Sequence, residues 1–467
     1  MAGLSPRRAA RPGRAFHHAA TAAAAARAAA ARVLERVATD AAFADVALEA
    51  ELARRKLSPR DSALATELVF GTLRWQRYLD WILAPHAKRR LASLDARVLA
   101  ILRMTAYQLV FLERVPSFAA VNDAVTLAPL TPGVKAFVNA VLRSFARRGA
   151  REREPAPARD ATEALATRCS FPTWLSARWV ARYGYQDAEA LMRALNERPP
   201  LTLRANTLRL TREALATRLA AEEGLAPRAT RWAPEGLVVG PGGPPGTWRA
   251  FAEGLFVVQD EASMLVARLL APAPGATIAD VCAAPGTKTT HLAQLMEDRG
   301  RVLAFDPQPA RLARVSEAAA RLGITCIEPL DGTVEALAPG FREACDGVLV
   351  DAPCSNLGVL KRNPDVKWRR EPTGLAASAE RQRRILDAAA GMVKPGGRLV
   401  YATCSLEPEE NEEVVGAFLT ARPEFRRDPP AEFPLPLDPD GTLRCLPHRH
   451  GTDGFTAVRL RRAITAA

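Results

Sequence analysis

Gly347-Val348-Leu349-Val350-Asp351-Ala352-Pro353-Cys354-Ser355 is a short apolar run that stops on an acid and a thiol. Arg398-Leu399-Val400-Tyr401-Ala402-Thr403-Cys404-Ser405 repeats the pattern further on. Each run is continuously apolar rather than alternating, which is how a strand buried on both faces reads. Upstream, a third such strand, expected over Thr277–Val281, leads into Cys282-Ala283-Ala284-Pro285-Gly286-Thr287-Lys288. Further strands are expected at Arg301–Phe305, Ile324–Ile327 and Phe455–Leu460. Helices over Pro309–Leu322, Ala376–Val393 and Pro408–Leu419 fill the gaps. Strands alternating with helices imply right-handed crossovers and a parallel sheet covered on both faces. The last strand follows a long Pro-rich loop and is expected to enter antiparallel.

The rest of the sequence makes this a multidomain chain. Residues 256–464 form the α/β domain. Residues 161–255 form a small α+β module, with strands at Leu201-Thr202-Leu203-Arg204 and Leu237-Val238-Val239. Residues 149–160 are charged, Pro-containing and aperiodic, hence a linker. Residues 21–148 read as helices only, broken near Leu57-Ser58-Pro59, Ala84-Pro85, Val115-Pro116-Ser117 and Leu130-Thr131-Pro132-Gly133. Residues 1–20 are expected to be a disordered basic tail.

The chain has 467 residues and a net charge of +13, which points to a polyanionic partner, nucleic acid first. Its seven cysteines contain no C-x-x-C pair, which argues against a zinc site. Reactive thiols in so long a chain imply a reducing, cytosolic location. No apolar run is long enough to span a membrane.

In an open α/β sheet, ligands bind outside the carboxyl ends of the strands. Cys354, Cys404 and the loop after Val281 are therefore expected to share one crevice. Gly286 allows close backbone approach, and a helix start favours a carboxylate or phosphate. The loop is neither a dinucleotide nor a triphosphate fingerprint. Asp306, ending the next strand, is placed to accept both hydroxyls of a ribose. Asp331, after the strand beyond, is placed for an adenine amine, and acidic groups suit a cationic sulfonium. Together these point to S-adenosylmethionine.

The residues then match a known family. Asp280 through Thr290, Asp351-Ala352-Pro353-Cys354-Ser355 and Thr403-Cys404-Ser405 resemble the RNA cytosine-5 methyltransferases of the Nol1/Nop2/Sun type. Val258-Gln259-Asp260, Lys361 through Trp368, Pro408-Glu409-Glu410-Asn411-Glu412 and Leu203-Arg204-Ala205-Asn206-Thr207 resemble further elements of that family. Ala119 through Val125 and Lys135 through Arg143 resemble the RNA-binding antitermination-factor (NusB-like) domain. The pairing is the architecture of bacterial small-subunit rRNA methyltransferases of the Sun/RsmB kind. The fold this implies is an all-α NusB-like front, a small α+β module and a C-terminal class I methyltransferase domain. The resemblance departs from the family at Thr287, where a second glycine is usual, and at Leu330, where Gly-Asp-Gly is usual.

What the resemblance implies is methylation of C5 of one cytidine in 16S rRNA; the substrate is expected to be rRNA free or within an assembling subunit, and the protein a monomer. A thiolate must add to C6 before C5 becomes nucleophilic. Spacing does not say which cysteine attacks. Carry-over from the family assigns Cys404 as nucleophile and Cys354 to product release. Asp351 is the candidate for N3, and Lys288 is the cation expected beside the thiolate. The cofactor would lie on Cys282, Ala283, Ala284, Pro285, Gly286, Thr287, Lys288, Asp306, Asp331 and Asp351. Arg204, Lys361, Arg362 and Lys367 are the RNA-binding candidates, with Arg143, Arg147, Arg148 and Arg369 behind them. The same chemistry on tRNA, or a dead methyltransferase body serving as an assembly factor, are the competing readings.

Overall fold

The computed structural model describes residues 13–113, 115–129, 131–148, 160–240 and 242–464. The expected tail lies outside them as far as residue 12. A helix runs from Gly13 to Thr39, earlier than the expected start near Thr21. The expected linker lies outside them except for Asp160, which caps the helix Ala161–Arg168 by accepting from the Thr162 and Glu163 N–H groups.

The chain forms two compact units: residues 1–189 with Asn363–Trp368, and Ala190–Arg362 with Arg369–Ala467. The first is helical. Ala44–Arg55, Pro59–Arg74, Gln76–Leu83, Ala96–Phe111, Ser117–Leu127 and Pro132–Arg147 are separated at the four expected Pro-containing breaks and, unexpectedly, at Trp75, where no proline marks the end of a helix. Their apolar faces bury Leu68, Leu79, Leu83, Ile101 and Leu102 completely. The helices Ala161–Arg168 and Thr173–Tyr183 pack within this unit.

The second unit holds two sheets. Strands β1 (Leu201–Ala205), β2 (Arg228–Ala229), β3 (Gly236–Val239) and β4 (Phe256–Val258) form a small antiparallel sheet in the order β2-β3-β1-β4. Its edge strand β4 extends past the expected boundary at 255. The large sheet contains β5 (Thr277–Asp280), β6 (Arg301–Asp306), β7 (Ile327–Asp331), β8 (Cys345–Asp351), β9 (Val393–Thr403), β10 (Phe425–Arg427), β11 (Leu443–Cys445) and β12 (Phe455–Arg462). Its order is β10-β12-β9-β8-β5-β6-β7, with β11 paired to β12. Strands β5 to β9 are parallel, and β12 enters antiparallel to β9.

One strand sits elsewhere than expected. The apolar Ile324 and Cys326 are buried ahead of the strand, which instead runs from Ile327 to Asp331. It is the sheet's edge, where Glu328 and Pro329 are tolerated and the apolar signature fades.

Candidate active site

Strands β8 and β9 are parallel neighbours, with Asp351 opposite Ala402. Their loops therefore leave the same edge side by side. Cys354 Sγ and Cys404 Sγ lie 3.3 Å apart, both thiols free and half-buried. Asn356, held at φ +64, accepts from Cys404 at 3.0 Å and Cys354 at 3.5 Å. The hydrogen bond to Cys404 raises the Cys354 pKa well above 9.0, with burial and the charge of Glu410 adding to it. The neighbouring sulfur, burial and Glu410 thus all favour the protonated form of Cys354.

Strand β5 flanks β8 on the other side, with Asp280 opposite Leu349. Its loop turns into the helix Thr287–Leu295, which places Lys288 in the first turn. Lys288 Nζ donates to Asp351 Oδ2 at 2.7 Å and lies 4.9 Å from the Phe455 ring centre. Burial favours loss of the ammonium proton, but Asp351, joined by Cys404 and Asp280, outweighs it and raises the Lys288 pKa. Asp280 is fully buried, and burial pushes its carboxyl up to about 7 although the Thr289 hydroxyl donates to it at 2.8 Å.

The cofactor loop is built on backbone. The Ala283 N–H donates to Phe305 C=O, and the Gly286 N–H to Ala283 C=O. Gly286 sits at φ +102, and a Cβ there would lie 3.1 Å from Val315 Cα, so the close approach requires glycine. The first-turn N–H groups of the following helix have no intrahelical acceptor. Asp306 and Asp331 are register partners at the carboxyl ends of β6 and β7. Asp306 is buried, and its Oδ1 accepts from the Gln308 N–H at 3.0 Å. Its Oδ2 has Arg311 at 3.6 Å, beyond hydrogen-bond distance, so an acceptor is left open. An open acceptor on a buried acid, beside an exposed acid and a glycine turn, fits a ribose diol and an adenine. S-Adenosylmethionine would be held by the Cys282–Lys288 turn, Asp306 and Asp331.

The four leading RNA-binding candidates have other employment. Arg204 has 0% exposure. Its guanidinium donates to Thr287 C=O at 2.6 Å, to the Thr290 hydroxyl at 2.9 Å and to Gln259, so it pins the helix that carries Lys288. Burial lowers its pKa to about 9. Lys361 is buried with Glu197 at 3.9 Å. Arg362 bridges Asp260 and Asp453. Lys367 is buried in the first unit, where it donates to Arg74 C=O at 2.7 Å over the Phe171 ring, and burial drives its pKa well below 10.5. Trp368 donates to Leu73 C=O at 2.6 Å. These cations are structural because desolvating them requires partners inside the fold.

Elsewhere in the first unit cations remain open. Arg143, Arg147 and Arg148 end the helix Pro132–Arg147 exposed, and Lys88, Arg89 and Arg90 are exposed in the loop before the helix Ala96–Phe111. His86 Nδ1, 3.0 Å from Ser144 Oγ, ties loop to helix. Among the described residues none of the six has an ion-pair partner, whereas Arg27, Arg77, Arg97 and Arg103 each meet a carboxylate.

Residues that carried no assigned role complete the site. Ser355, Ser405, Asn356, Glu410 and Asn411 surround the thiols; Pro408 through Glu412 had stood out only by resemblance. Among the described residues no group of acids, histidines and cysteines is arranged for a metal, and no helix is long and apolar enough to cross a membrane.

Residues 267–461 match the family described as 16S rRNA methyltransferase RsmB/F, 24–147 the NusB family, and 171–243 an RsmF/B-like ferredoxin-like domain. The chain is 38% identical over 435 residues to a probable ribosomal RNA small subunit methyltransferase B of Bacillus subtilis, covering 90% of this chain and 95% of that one. Its fold is similar to the crystal structure of PH0851, with TM-score 0.79 and 30% identity over 94% of this chain and 99% of the other. It is also similar to NSun6 from Pyrococcus horikoshii solved with SFG, a SAM analogue, with TM-score 0.56 and 26% identity over 62% and 98% of the two chains.

Proposed function

The chain belongs to the 16S rRNA methyltransferase RsmB/F family and is a SAM-dependent RNA methyltransferase, and from that premise we propose that it methylates C5 of a cytidine in small-subunit rRNA through a covalent thiol adduct. The observation that carries this reading is the pair of free sulfurs 3.3 Å apart at adjoining strand ends, beside the Lys288–Asp351 pair. When bound, S-adenosylmethionine supplies an electrophilic methyl group on a sulfonium.

The chain's own residues do the rest. The target base is unstacked into the crevice. Cys404 thiolate forms a bond to C6, and the electron pair released from the C5–C6 bond makes C5 nucleophilic. N3 takes a proton from the Lys288–Asp351 pair, which keeps negative charge off the ring. After C5 gains the methyl group, N3 returns its proton to the pair, the C5 proton passes to a solvent base, the C5–H electron pair restores the C5–C6 double bond, and the C6–S bond breaks with its electrons on sulfur. Cys404 departs as thiolate with the Cys354 S–H directed at it, which eases release. Asp306 and Asp331 hold the nucleoside of the methyl donor. We assign phosphate binding to the open cations Lys88, Arg89, Arg90, Arg143, Arg147 and Arg148, and a reducing cytoplasm to the enzyme because its thiols must stay free.

The test uses a 16S rRNA transcript containing 5-fluorocytosine. Wild-type protein forms a stable adduct and Cys404→Ser forms none, while Cys354→Ala accumulates adduct on ordinary RNA. The reverse pattern exchanges the two roles. Absence of any adduct with wild-type protein removes the covalent mechanism.

A further inference from the structure

We propose that Glu410 and Asn411 are positioning residues that set the spacing of the two thiols, each holding one cysteine loop from a single short turn. The turn is the 3-10 segment Pro408–Glu410, which precedes the helix Glu412–Ala421. Glu410 is completely buried, and Asn411 nearly so.

Glu410 faces the Cys354 loop. Its Oε1 accepts from the Ser355 N–H at 2.7 Å and from Gln382 Nε2 at 3.1 Å, and its Oε2 accepts from the Ser355 hydroxyl. Gln382 in turn donates to Pro353 C=O at 3.0 Å, so the residues on both sides of Cys354 are tied to one carboxylate. Asn411 faces the Cys404 loop. It accepts from the Thr403 hydroxyl at 2.6 Å and donates to Ser405 C=O at 3.1 Å, again holding both neighbours of the cysteine. Ser355 Oγ and Ser405 Oγ lie 3.1 Å apart and close the frame. Tyr401, at the end of β9, donates to Glu410 C=O at 2.6 Å and anchors the turn to the sheet.

Glu410 has only neutral donors around its carboxylate and no ion-pair partner among the described residues. A buried charge without a counterion is costly, and simple packing would be served by a glutamine. Its charge reaches the site, because it is one of the groups that keep the Cys354 thiol protonated. The turn therefore does two things: it spaces the sulfurs, and it keeps the helper thiol in the form that donates to the departing Cys404.

The inference rests on the reading of Cys404 as nucleophile and Cys354 as release group. The experiment uses the full chain and 16S rRNA transcripts with cytosine or 5-fluorocytosine. Asn411→Ala should slow adduct formation on the fluorinated transcript by roughly 100-fold, the scale of a 1 Å misplacement. Glu410→Ala should form that adduct at close to the wild-type rate but retain it on ordinary RNA. Glu410→Gln, which keeps the shape and is the variant expected to fold, should lose release at lower pH than wild type as pH rises. S-Adenosylmethionine affinity, measured by calorimetry, should be unchanged in all three. Equal slowing of both steps in the two alanine variants, or a Glu410→Gln pH profile identical to wild type, overturns the proposal. A wild-type protein that forms no adduct defeats the covalent reading instead.

Discussion

The carboxyl edge of the large sheet and the four cations Arg204, Lys361, Arg362 and Lys367 are all polar groups that burial restricts. They differ in what is left over. Each of these four cations meets carbonyls, hydroxyls or carboxylates within its own unit. At the edge, Cys404 lies against Cys354 and Lys288 against Asp351, while Asp306 keeps an acceptor open to a ligand. Buried polar groups that are satisfied internally hold the fold, and those satisfied only in part await a substrate.

The sharpest break in that comparison is chemical. Cys404→Ser should reduce methyl transfer to rRNA by roughly 10⁴-fold or more, the scale of removing a nucleophile, with an unchanged melting temperature. Methyl incorporation from labelled donor, mapped by bisulfite sequencing, is the measurement. Appreciable residual turnover would place the nucleophile elsewhere.

Arg204→Leu should do the opposite. It leaves Thr287 C=O and the Gln259 amide oxygen without their donor, at a cost of about 1–3 kcal/mol in stability for each group left unsatisfied. Chemical denaturation reads the loss. A folded variant of normal stability with weakened RNA affinity would return Arg204 to the RNA-binding surface.

An intermediate effect depends on pH. His291 is buried, with Nε2 2.8 Å from Glu235. Burial, with Arg204 adding and Glu235 opposing, lowers its pKa to about 4 from 6.5. Below pH 6.5 the unfolded chain takes up a proton that the folded one refuses, so stability falls as pH drops toward 4, by up to about 3 kcal/mol. Asp280 and Asp453, raised to about 7 by burial, act with the opposite sign and lose stability as pH rises. The diagnostic is therefore a difference: His291→Gln should melt closer to its pH 7.5 temperature at pH 5 than wild type does. Parallel curves for the two proteins would remove His291 from this role.

The smallest expected effect is on the open cations. Replacing Lys88, Arg89 and Arg90 with alanine should change stability by less than about 0.5 kcal/mol per residue. It should lower the slope of log affinity against log salt by roughly 0.7–0.9 for each phosphate no longer neutralised. Filter binding at several salt concentrations measures it, and an unchanged slope means this face does not meet RNA.

These contrasts mark what a linear reading reaches. Cys354 and Cys404 were legible because the runs before them are apolar on both faces, and such runs end at the ligand edge of a parallel sheet. Asp306 was legible for the same reason. Strand β7 was displaced because an edge strand tolerates Glu328 and Pro329. The roles of Arg204 and Lys367 were not legible, since an arginine or lysine reads alike whether it meets a phosphate or a carbonyl. Lys367 meets Arg74, 293 positions away in the chain.

The sequence by itself determined the order of elements and the sheet edge at which the cysteines and acids gather, because periodicity and strand-end residues are local properties of the chain. The folded structure alone decided which cations are consumed, which stay open, and that Glu410 and Asn411 frame the thiols. The reason is that the energy of a charge or hydrogen bond belongs to a pair of groups, and folding chooses the partner.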